Sequence, residues 1–548
     1  MPDRHIPRPG GHQLTVGDDR LYGAITRRRL LGSGAGGALA LAGLLSGCGG
    51  SVASGVEADA NAAAGKPRRG GTLRVGMITG GSAETLSVPI AVNFPDIARV
   101  TQLYDTLFSL SPDTLAPVPR LAASADSNAA ATTWTIRLRP GVTWHDGKPL
   151  TADDLMYTVR SWSSPKSYFK PLIGPLLKFH ELRKRDALTV EIPLTRAIGD
   201  FPSLLCSYSA SVIQNGFTDF SHPIGTGPFK FVSFNPGSQS VFAANRGYWA
   251  HPYPYVDELI INTSFADDTT RTNALLAGDI DVVPAMSFTL AKQQADNTAV
   301  RVTRAHTPNV FGMYMRVDEG PTANSQVRQA LRLIANRPSL LSDVLLGDGT
   351  LGNDVPGRGL PYFADSLTRE QDIEQAKHLL KAAGHSDLTL TLRTSTAVTG
   401  FVESATLYAA QAKAAGVNIQ LEEIPPANYF SPAAGYYTWP FAQTSWSGVV
   451  YSLSYFYLAA LCKGTPNPET HWGDAKVDRI LDEALSAVSH SQAEQRWLAV
   501  QELQFLHGGY MLWANPDAVD GFGTRVRGLE STGAGQCNSY DFRTAWLT

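Results

Sequence analysis

One segment, residues 133–162, limits the possible folds more than any other, because it predicts a strand, a tight turn and a helix in immediate succession. Its first residues alternate, so that Trp134, Ile136 and Leu138 lie on one side and polar residues on the other. Such alternation is typical of a half-buried strand in an antiparallel sheet. The dipeptide Pro140-Gly141 then turns the chain.

The second half of this segment places His145 beside Asp146, a pair that resembles a catalytic site. Asp146-Gly147 is, however, a turn dipeptide. Thr151 and Asp154 have the spacing of a cap at the start of a helix, and apolar residues follow at helical spacing. These local roles account for the whole stretch, and we interpret His145 as a turn or packing residue.

The rest of the chain repeats this mixture of elements. Helices are predicted near residues 327–334, 372–384, 477–485 and 491–503, with strand-like runs between them. We find no internal repeat of 20 to 50 residues, which argues against a solenoid or a propeller. The 548 residues are 43% hydrophobic and 17% charged, which is typical of a globular protein of about three structural units. The fold class predicted is α/β.

The first 47 residues are interpreted as an export signal and are set apart from the fold. Thr26 to Leu31 fits the twin-arginine pattern, and Leu45-Ser46-Gly47-Cys48 resembles the bacterial lipobox, whose cysteine becomes lipidated. The Gly/Ala/Ser-rich residues 48–69 then predict a flexible tether. We therefore expect an extracytoplasmic protein that is anchored through lipidated Cys48 to the outer face of the cell membrane.

Charge and cysteine content argue against a nucleic-acid partner and against a zinc site. The chain has 46 basic and 49 acidic residues; removing the six Arg and three Asp of residues 1–47 leaves 40 against 46, a net charge of −6. No nucleic-acid partner is expected, because such a partner requires a concentrated basic face. Cys206, Cys462 and Cys537 form no CxxC pair, which disfavours a zinc site. One disulfide among these three is plausible in an exported protein, and its pairing stays open.

Motifs that carry catalysis are absent from the sequence after residue 47. It contains no HExxH, GxSxG or EF-hand loop, and the GxGxxG at Gly347 to Gly352 follows a helical stretch instead of a strand. We expect neither a cofactor nor a metal. Triads assembled from distant positions escape such a search, so the absence shifts the balance toward binding without excluding an enzyme.

An aromatic-rich tract is the strongest local anomaly in the sequence. It has no steady period of 2 or 3.6, and prolines and glycines interrupt it. Aromatic side chains on loops offer rigid apolar surface with polar tips, which suits a ligand cleft. The tract comprises Tyr429, Phe430, Tyr436, Tyr437, Trp439, Phe441, Trp446, Tyr451, Tyr455, Phe456 and Tyr457. We predict that it forms a cleft wall, although many of its members individually suit the core.

Five segments follow one another in an order that resembles a known family. They are YDTLFSLSPDTLAPVPRLAAS from Tyr104, WTIRLRPGVTWHDGKPLTADDLMYTVRSW from Trp134, PIGTGPFKFVSFNPGSQSVFAANRGYW from Pro223, VRQALRLIANRPSLLSDVLLGDG from Val327 and DIEQAKHLLKAAG from Asp372. The chain is similar from Gly71 to its end to the extracellular solute-binding proteins of family 5, which are the peptide-binding and related receptors of ABC importers.

The resemblance implies an α/β clamshell of two lobes, like the type II periplasmic binding proteins, with an extra inserted subdomain. The first lobe would combine residues 70–94, 222–309 and 519–548, and the subdomain would occupy residues 95–221. The second lobe would span residues 310–518. Two strands that cross between the lobes would act as a hinge. A monomer is expected.

The resemblance also implies a function and its partners. The protein would capture an oligopeptide or a similarly bulky solute between its lobes and deliver it to the permease subunits in the membrane, without catalysing a reaction. The predicted ligand-binding residues are Trp446, Ser447, Trp439, Tyr437 and Tyr451. Peptide receptors of the family commonly place an acidic residue three positions after a tryptophan, whereas Val449 stands three positions after Trp446 here. A sugar, an opine or a metal chelate therefore stays open as the ligand beside a peptide.

Two alternatives from other classes remain at this point. A secreted hydrolase could use the aromatic tract for its substrate subsites. A signalling or adhesion lipoprotein could be built on the same fold. Turnover of peptides or glycosides would identify the first alternative, and solute uptake that does not depend on the gene would identify the second.

Overall fold

The structure is a computed structural model, which describes residues 65–448, 451–461 and 464–548. Its strands in chain order are β1 Thr72–Ile78, β2 Phe108–Leu110, β3 Pro117–Pro119, β4 Ala122–Ser127, β5 Thr133–Leu138, β6 Arg183–Lys184, β7 Thr189–Pro193, β8 Phe229–Asn235, β9 Gln239–Ala244, β10 Glu258–Phe265, β11 Val282–Val283, β12 Val300–Ala305, β13 Val310–Met315, β14 Gly349–Leu351, β15 Thr389–Thr394, β16 Asn418–Glu423, β17 Phe441–Trp446, β18 Tyr510–Pro516, β19 Ala518–Gly523, β20 Val526–Arg527 and β21 Trp546–Leu547.

The α-helices lie between these strands. They are α1 Phe94–Leu103, α2 Ala152–Ser161, α3 Lys170–Ile173, α4 Phe201–Leu204, α5 Asp268–Ala277, α6 Phe288–Gln293, α7 Ser325–Ile334, α8 Arg337–Val344, α9 Ile373–Ala382, α10 Phe401–Lys413, α11 Leu453–Phe456, α12 Ala475–Leu485 and α13 His490–His507. Within the described residues, no helix combines the length and the apolar character that a membrane crossing needs.

A seven-stranded sheet, in the order β12-β19-β11-β1-β10-β9-β8, forms the centre of the part that we name the first lobe. Strand β1 pairs in parallel with β10, and β10, β9 and β8 form an antiparallel meander. Helix α1 covers this sheet with the buried side chains of Ile97, Val100 and Leu103. The helix thus contributes to the core of the first sheet, although nearly all of it falls in the range 95–221 predicted as an inserted subdomain.

A separate four-stranded antiparallel sheet, β4-β5-β7-β6, contains the strand predicted over residues 133–139. Trp134, Ile136 and Leu138 are buried, as the alternation predicts. The predicted helix cap is also confirmed, because the backbone N–H of Thr151 donates to the carboxylate of Asp154 at 2.8 Å in a capping box at the start of α2.

His145 lies between this four-stranded sheet and the loop that precedes β8. Its Nε2 is 3.0 Å from the carbonyl oxygen of Gly227, and the backbone N–H of Gly225 donates to its Nδ1 at 3.2 Å. This pair of bonds requires the neutral tautomer that carries its proton on Nε2. Burial lowers the pKa of His145 to about 4. The interpretation as a packing residue is confirmed by these contacts.

A six-stranded sheet, in the order β14-β18-β13-β17-β15-β16, forms the centre of the second lobe. Helices with one apolar face pack around it, and the stripe of α7 buries Val327, Ala330, Leu331 and Ile334. Helix α9 begins after Asp372, whose side chain accepts from the backbone N–H of Gln375 at 2.8 Å. Both features follow the predicted patterns.

The chain passes between the two large sheets at two places. Strand β12 belongs to the first sheet and β13 to the second, and the return occurs between β18 and β19. The two crossings are tied together, because the Thr307 hydroxyl donates to the carbonyl of Pro516 at 2.7 Å and the Asn515 amide donates to the carbonyl of Asn309 at 2.7 Å. The full division into domains predicted from the sequence stays a prediction.

Two of the cysteines can be placed. Cys206 and Cys537 are both buried free thiols. Cys462 and Cys48 lie outside the described residues, as do the export signal and most of the predicted tether. Neither Cys206 nor Cys537 therefore forms the disulfide that the sequence made plausible, whereas the prediction of lipid attachment stays a prediction.

Candidate functional site

A cavity of about 300 Å³ lies between the two lobes. Most of its lining, which we name the first-lobe wall, consists of the end of α1, the segment 104–120 after it, residues 206–211 and the C-terminal segment 534–543. The second lobe contributes Gly448 and Tyr451. A small extension reaches the crossing segment at Thr307 to Asn309. Because both lobes and one of the crossings border this space, its shape depends on how the lobes are placed.

Charged side chains on the first-lobe side form a paired network. The buried Asp105 carboxylate forms an ion pair with Arg120, and it accepts hydrogen bonds from the Tyr248 hydroxyl at 2.8 Å and the Trp249 indole at 2.9 Å. The guanidinium of Arg543 lies 2.9 Å from the Asp541 carboxylate. These two acids and two arginines are the Asp, Glu, Lys and Arg residues of the described lining, so its formal charges cancel.

Other polar groups in the same lining have no partner within the protein. The hydroxyls of Tyr104 and Tyr540 and the Nε atoms of Arg120 and Arg543 are buried and make no hydrogen bond. Tyr104 is 2% exposed and Tyr540 5%. Burial raises the pKa of both phenols, so they stay protonated and can donate. A buried polar group without a partner costs about 1–3 kcal/mol, which makes four such groups in one wall a feature that needs an explanation.

The C-terminal part of the wall has an unusual backbone. Cys537, Asn538, Ser539 and Tyr540 have φ values of 46°, 53°, 59° and 60°, so four consecutive non-glycine residues are left-handed. The left-handed conformation costs an L-residue roughly 1–2 kcal/mol. The buried Asp520 holds this turn, since its carboxylate accepts from the backbone N–H of Cys537 at 2.7 Å.

The second lobe reaches the cavity through a short loop after β17. Tyr451 is buried in contact with Ser207 and Tyr208 of the first lobe, and burial raises the pKa of its phenol. The backbone N–H of Gly448 donates to the side-chain oxygen of Asn309, in the crossing segment, at 2.9 Å. These contacts connect the second-lobe part of the lining directly to the first lobe and to the crossing.

The five predicted ligand-binding residues occupy different places. Tyr451 lines the cavity, and Ser447 precedes Gly448, which lines it as well. Trp446 lies outside the lining, with its ring 5.3 Å from that of Phe456. Trp439 and Tyr437 also lie outside it. Their role as ligand contacts stays a prediction.

Trp439 and Tyr437 belong to an aromatic cluster in the second lobe, which consists of Tyr429, Phe430, Tyr436, Tyr437 and Trp439. The Trp439 ring lies 5.4 Å from Tyr429 and 5.6 Å from Tyr436. The Tyr437 hydroxyl donates to the Asn467 side chain at 2.6 Å. The hydroxyls of all three tyrosines of the cluster thus have acceptors within the protein.

Glu469 lies at the edge of this cluster and is 2% exposed. Its carboxylate accepts hydrogen bonds from the hydroxyls of Tyr436 at 2.8 Å, Thr444 at 3.0 Å and Tyr510 at 2.6 Å, and from the Trp446 indole at 3.3 Å. Burial raises the pKa of Glu469. This acid therefore lies next to Trp446 but is fully occupied by donors from the protein.

Sequence reasoning did not single out the residues of the first-lobe wall. Tyr104, Asp105 and Arg120 lie within the first of the five family-like segments. The fold alone brings them into one lining with residues 540–543, where Arg120 lies 3.5 Å from the Asp541 carboxylate. Among the described residues, no group of three or more His, Cys, Asp or Glu side chains is arranged to hold a metal ion.

Comparison with protein families gives one match that spans well over half of the chain. The model described as "Bacterial extracellular solute-binding proteins, family 5 Middle" matches residues 116–468. The dipeptide-binding protein of Escherichia coli (strain K12) is 27% identical over 315 residues, which cover 52% of this chain and 58% of the relative. The peptide transport periplasmic protein SapA of Salmonella typhimurium is 24% identical over 437 residues, which cover 74% and 79%.

A solved structure shows the same fold. The periplasmic binding protein DppA from Helicobacter pylori, in complex with the peptide STSA, superposes with a TM-score of 0.73 at 20% sequence identity. The match covers 88% of this chain and 98% of that structure. This likeness supports the two-lobed α/β fold predicted from the sequence. The chain spans only 58% of the dipeptide-binding relative, so it shares part of that protein's length.

Proposed function

Because the chain belongs to the bacterial extracellular solute-binding proteins of family 5, we propose that it is the substrate-binding receptor of an ABC importer. It captures an oligopeptide or a similarly bulky solute between its lobes and passes it to the membrane permease. The observation that carries this proposal is the cavity between the lobes, which both lobes line and in which buried polar groups lack partners.

Binding by lobe closure follows from the position of the two crossings. A solute that contacts both Tyr451 and the first-lobe wall gains these contacts only when the lobes are closed. It therefore shifts the population toward the closed form by the difference in its affinity for the two forms. The backbone N–H of Gly199 also donates to the carbonyl of Leu485 at 2.6 Å, and we expect this contact between the lobes to break when they open.

The chemistry of the wall favours a receptor over the alternative of a secreted hydrolase. The carboxylates of Asp105 and Asp541 are each held in an ion pair with an arginine. Burial raises the pKa of the Cys206 thiol in the lining well above its usual value, which suppresses the nucleophilic thiolate. The wall is thus equipped to donate hydrogen bonds and to leave the bound solute intact.

The size of the cavity and the names of the relatives support a short peptide or a solute of similar size. A volume of about 300 Å³ lies at the lower end of the range for small-molecule sites. The two curated relatives are named for dipeptide binding and peptide transport. Val449 stands where many peptide receptors have an acidic residue, three positions after a tryptophan. A solute without a free amine therefore stays compatible with the proposal.

The finer parts of the proposal concern location and organisation. The receptor is a monomer that is held at the outer face of the cell membrane through lipidated Cys48. Its first lobe comprises residues 70–94, 222–309 and 519–548 with the inserted residues 95–221, and its second lobe comprises residues 310–518. The export pattern and the lipobox of the sequence support the location, and the two crossings support the division into lobes.

A pair of glycine variants tests closure. A Cβ atom on Gly199 would lie 1.8 Å from the carbonyl oxygen of Ala487 in the second lobe, so Gly199→Ala should hold the lobes apart. In the control Gly247→Ala, the new Cβ meets nothing nearer than the Asn245 side chain at 3.6 Å.

The readout combines native mass spectrometry of the freshly purified protein with small-angle X-ray scattering. We expect wild type and Gly247→Ala to carry an intact small molecule, and Gly199→Ala to be more extended and to lose most of it. A solute that is recovered cleaved would establish the hydrolase instead. Equal loading and equal dimensions of all three proteins would contradict binding by closure.

A further inference from the structure

The left-handed turn from Cys537 to Tyr540 is strained and fixed at the same time. Asp520 accepts a second hydrogen bond from the Ser531 hydroxyl at 2.7 Å and a third from the backbone N–H of Ala285 at 3.0 Å, which fixes the carboxylate that holds the turn. At the other end of the turn, the Gln102 amide donates to the carbonyl of Tyr540 at 2.6 Å. The surrounding structure thus imposes a conformation that the turn would not adopt alone.

Glycine would suit this backbone better than the residues that are present. The same segment uses glycine two positions before the turn, where Gly535 has a φ of 121°. Within the turn, however, side chains are kept at four consecutive positions, and a tyrosine is a true outlier at positive φ. Three of those side chains, on Asn538, Ser539 and Tyr540, line the cavity. The backbone strain is therefore explained if these side chains are needed there.

The hydrogen bonds of the turn show which of its polar side chains already have partners and which do not. Ser539 donates to the carbonyl of Ala534 at 2.6 Å, and the Asn538 side-chain oxygen accepts from Thr532 at 3.2 Å, so both side chains are held in place. The Tyr540 hydroxyl is buried and has no partner. Tyr104 belongs to the same lining, and its hydroxyl is also buried without a partner.

The charge of the lining indicates the class of solute. Asp105 and Asp541 balance Arg120 and Arg543 within the wall, so a solute with a net charge would enter without a counterion. The polar side chains of Asn538, Ser539 and Tyr540, which carry no charge, are the groups of the turn that line the cavity. An uncharged polar group that accepts hydrogen bonds, such as a peptide carbonyl or a sugar oxygen, matches these donors.

From these observations we infer that the left-handed turn is a preset wall of the solute site, where Asn538, Ser539 and Tyr540 select a polar solute of zero net charge. The inference rests on the proposed receptor function and assigns its specificity to this turn. Asp520 is a positioning residue, because it holds the turn without lining the cavity.

The test uses the full-length protein and three probes in calorimetric titrations at pH 7: dialanine, sucrose and glutathione, of which only glutathione carries a net charge. The variants are Asn538→Gly/Ser539→Gly, which relaxes the backbone and removes two side chains, and Tyr540→Phe, which removes only the unpartnered hydroxyl. Ala131→Gly is the matched control, because Ala131 is also left-handed, with a φ of 51°, but lies outside the lining.

We expect wild type to bind dialanine or sucrose at least tenfold more tightly than glutathione. Both turn variants should bind that preferred probe at least tenfold more weakly, while the melting temperature of the glycine variant without solute rises by about 1–2 °C. Ala131→Gly should bind like wild type.

Unchanged affinity in both turn variants, or preferred binding of glutathione, would overturn the inference and leave the receptor function standing. A wild-type protein that binds none of the probes and carries no co-purified small molecule would overturn the receptor function itself, and the inference with it.

Discussion

The aromatic cluster of the second lobe and the first-lobe wall of the cavity both bury polar side chains, but they treat them in opposite ways. In the cluster, the hydroxyls of Tyr436 and Tyr437 reach acceptors at 2.8 Å and 2.6 Å. In the wall, the hydroxyls of Tyr104 and Tyr540 reach none, and the backbone beside them is left-handed.

This difference distinguishes buried polar groups that stabilise the fold from buried polar groups that are kept for binding. A buried hydroxyl with a partner contributes to folding, whereas one without a partner opposes folding and is kept only where something else benefits. Aromatic content alone does not distinguish the two cases, since both regions contain tyrosines. Unsatisfied polar groups that also line a cavity do, and four of them occur in the wall.

The sharpest way to break the comparison is to remove the acceptor at the edge of the cluster. Glu469→Ala would leave the buried hydroxyls of Tyr436, Thr444 and Tyr510 and the half-buried indole of Trp446 without this acceptor. Each buried donor left without an acceptor costs about 1–3 kcal/mol, and several donors share this carboxylate, so the total loss should exceed that of any single hydrogen bond. Urea unfolding should show this loss, and Glu469→Gln, which retains one acceptor, should lose less. Equal stability of Glu469→Ala and wild type would show that the hydrogen bonds to Glu469 do not stabilise the fold.

His145 provides a second test, because both nitrogens of its imidazole are hydrogen-bonded within the protein. The pKa of His145 is about 4 in the folded protein against 6.5 in an unfolded chain. As the pH falls, the unfolded chain binds the proton first, so the stabilisation is complete above pH 6.5 and is lost between pH 6.5 and pH 4. The loss is at most about 3 kcal/mol.

Unfolding midpoints measured between pH 4 and pH 8 in wild type and in His145→Gln isolate this contribution. Other groups titrate equally in both proteins, so the difference between the two curves belongs to the imidazole. We expect the two proteins to approach each other in stability toward pH 4. A constant difference across the whole range would show that His145 is not held neutral.

A single hydroxyl deletion gives a smaller effect of the same kind. Tyr510 is buried, and its hydroxyl donates to the Glu469 carboxylate at 2.6 Å. A hydrogen bond to a charged group contributes about 2 kcal/mol, so Tyr510→Phe should lower the free energy of unfolding by this amount. The matched deletion Tyr540→Phe removes a hydroxyl without a partner and should leave that free energy unchanged or slightly raise it. A larger loss of unfolding free energy in Tyr540→Phe than in Tyr510→Phe would contradict the distinction between the two hydroxyls.

Much of the fold was predictable because it rests on local patterns. The alternation around Trp134, the cap formed by Thr151 and Asp154 and the stripe of α7 each follow from a spacing within about ten residues. The two-lobed class followed from five segments in order, and it is confirmed by the family match and by the fold of the solved structure.

The candidate site was harder to predict, for a physical reason. The aromatic tract attracts attention in the sequence, but Trp439 and Tyr437 pack in the cluster, and only Tyr451 of the five predicted residues lines the cavity. The wall joins Tyr104 to Tyr540 across more than 400 positions, and its left-handed turn carries no glycine that would announce it. No local spacing records such a juxtaposition.

The most direct test compares one chemical change at two places, in a titration with whichever of dialanine, sucrose or glutathione wild type binds most tightly. Tyr437→Phe and Tyr540→Phe each delete one phenolic hydroxyl, the first with a partner and the second without. The account predicts that Tyr540→Phe raises the dissociation constant at least tenfold while Tyr437→Phe leaves it unchanged. The reverse result, with affinity lost in Tyr437→Phe and kept in Tyr540→Phe, would contradict it and place the solute at the aromatic cluster.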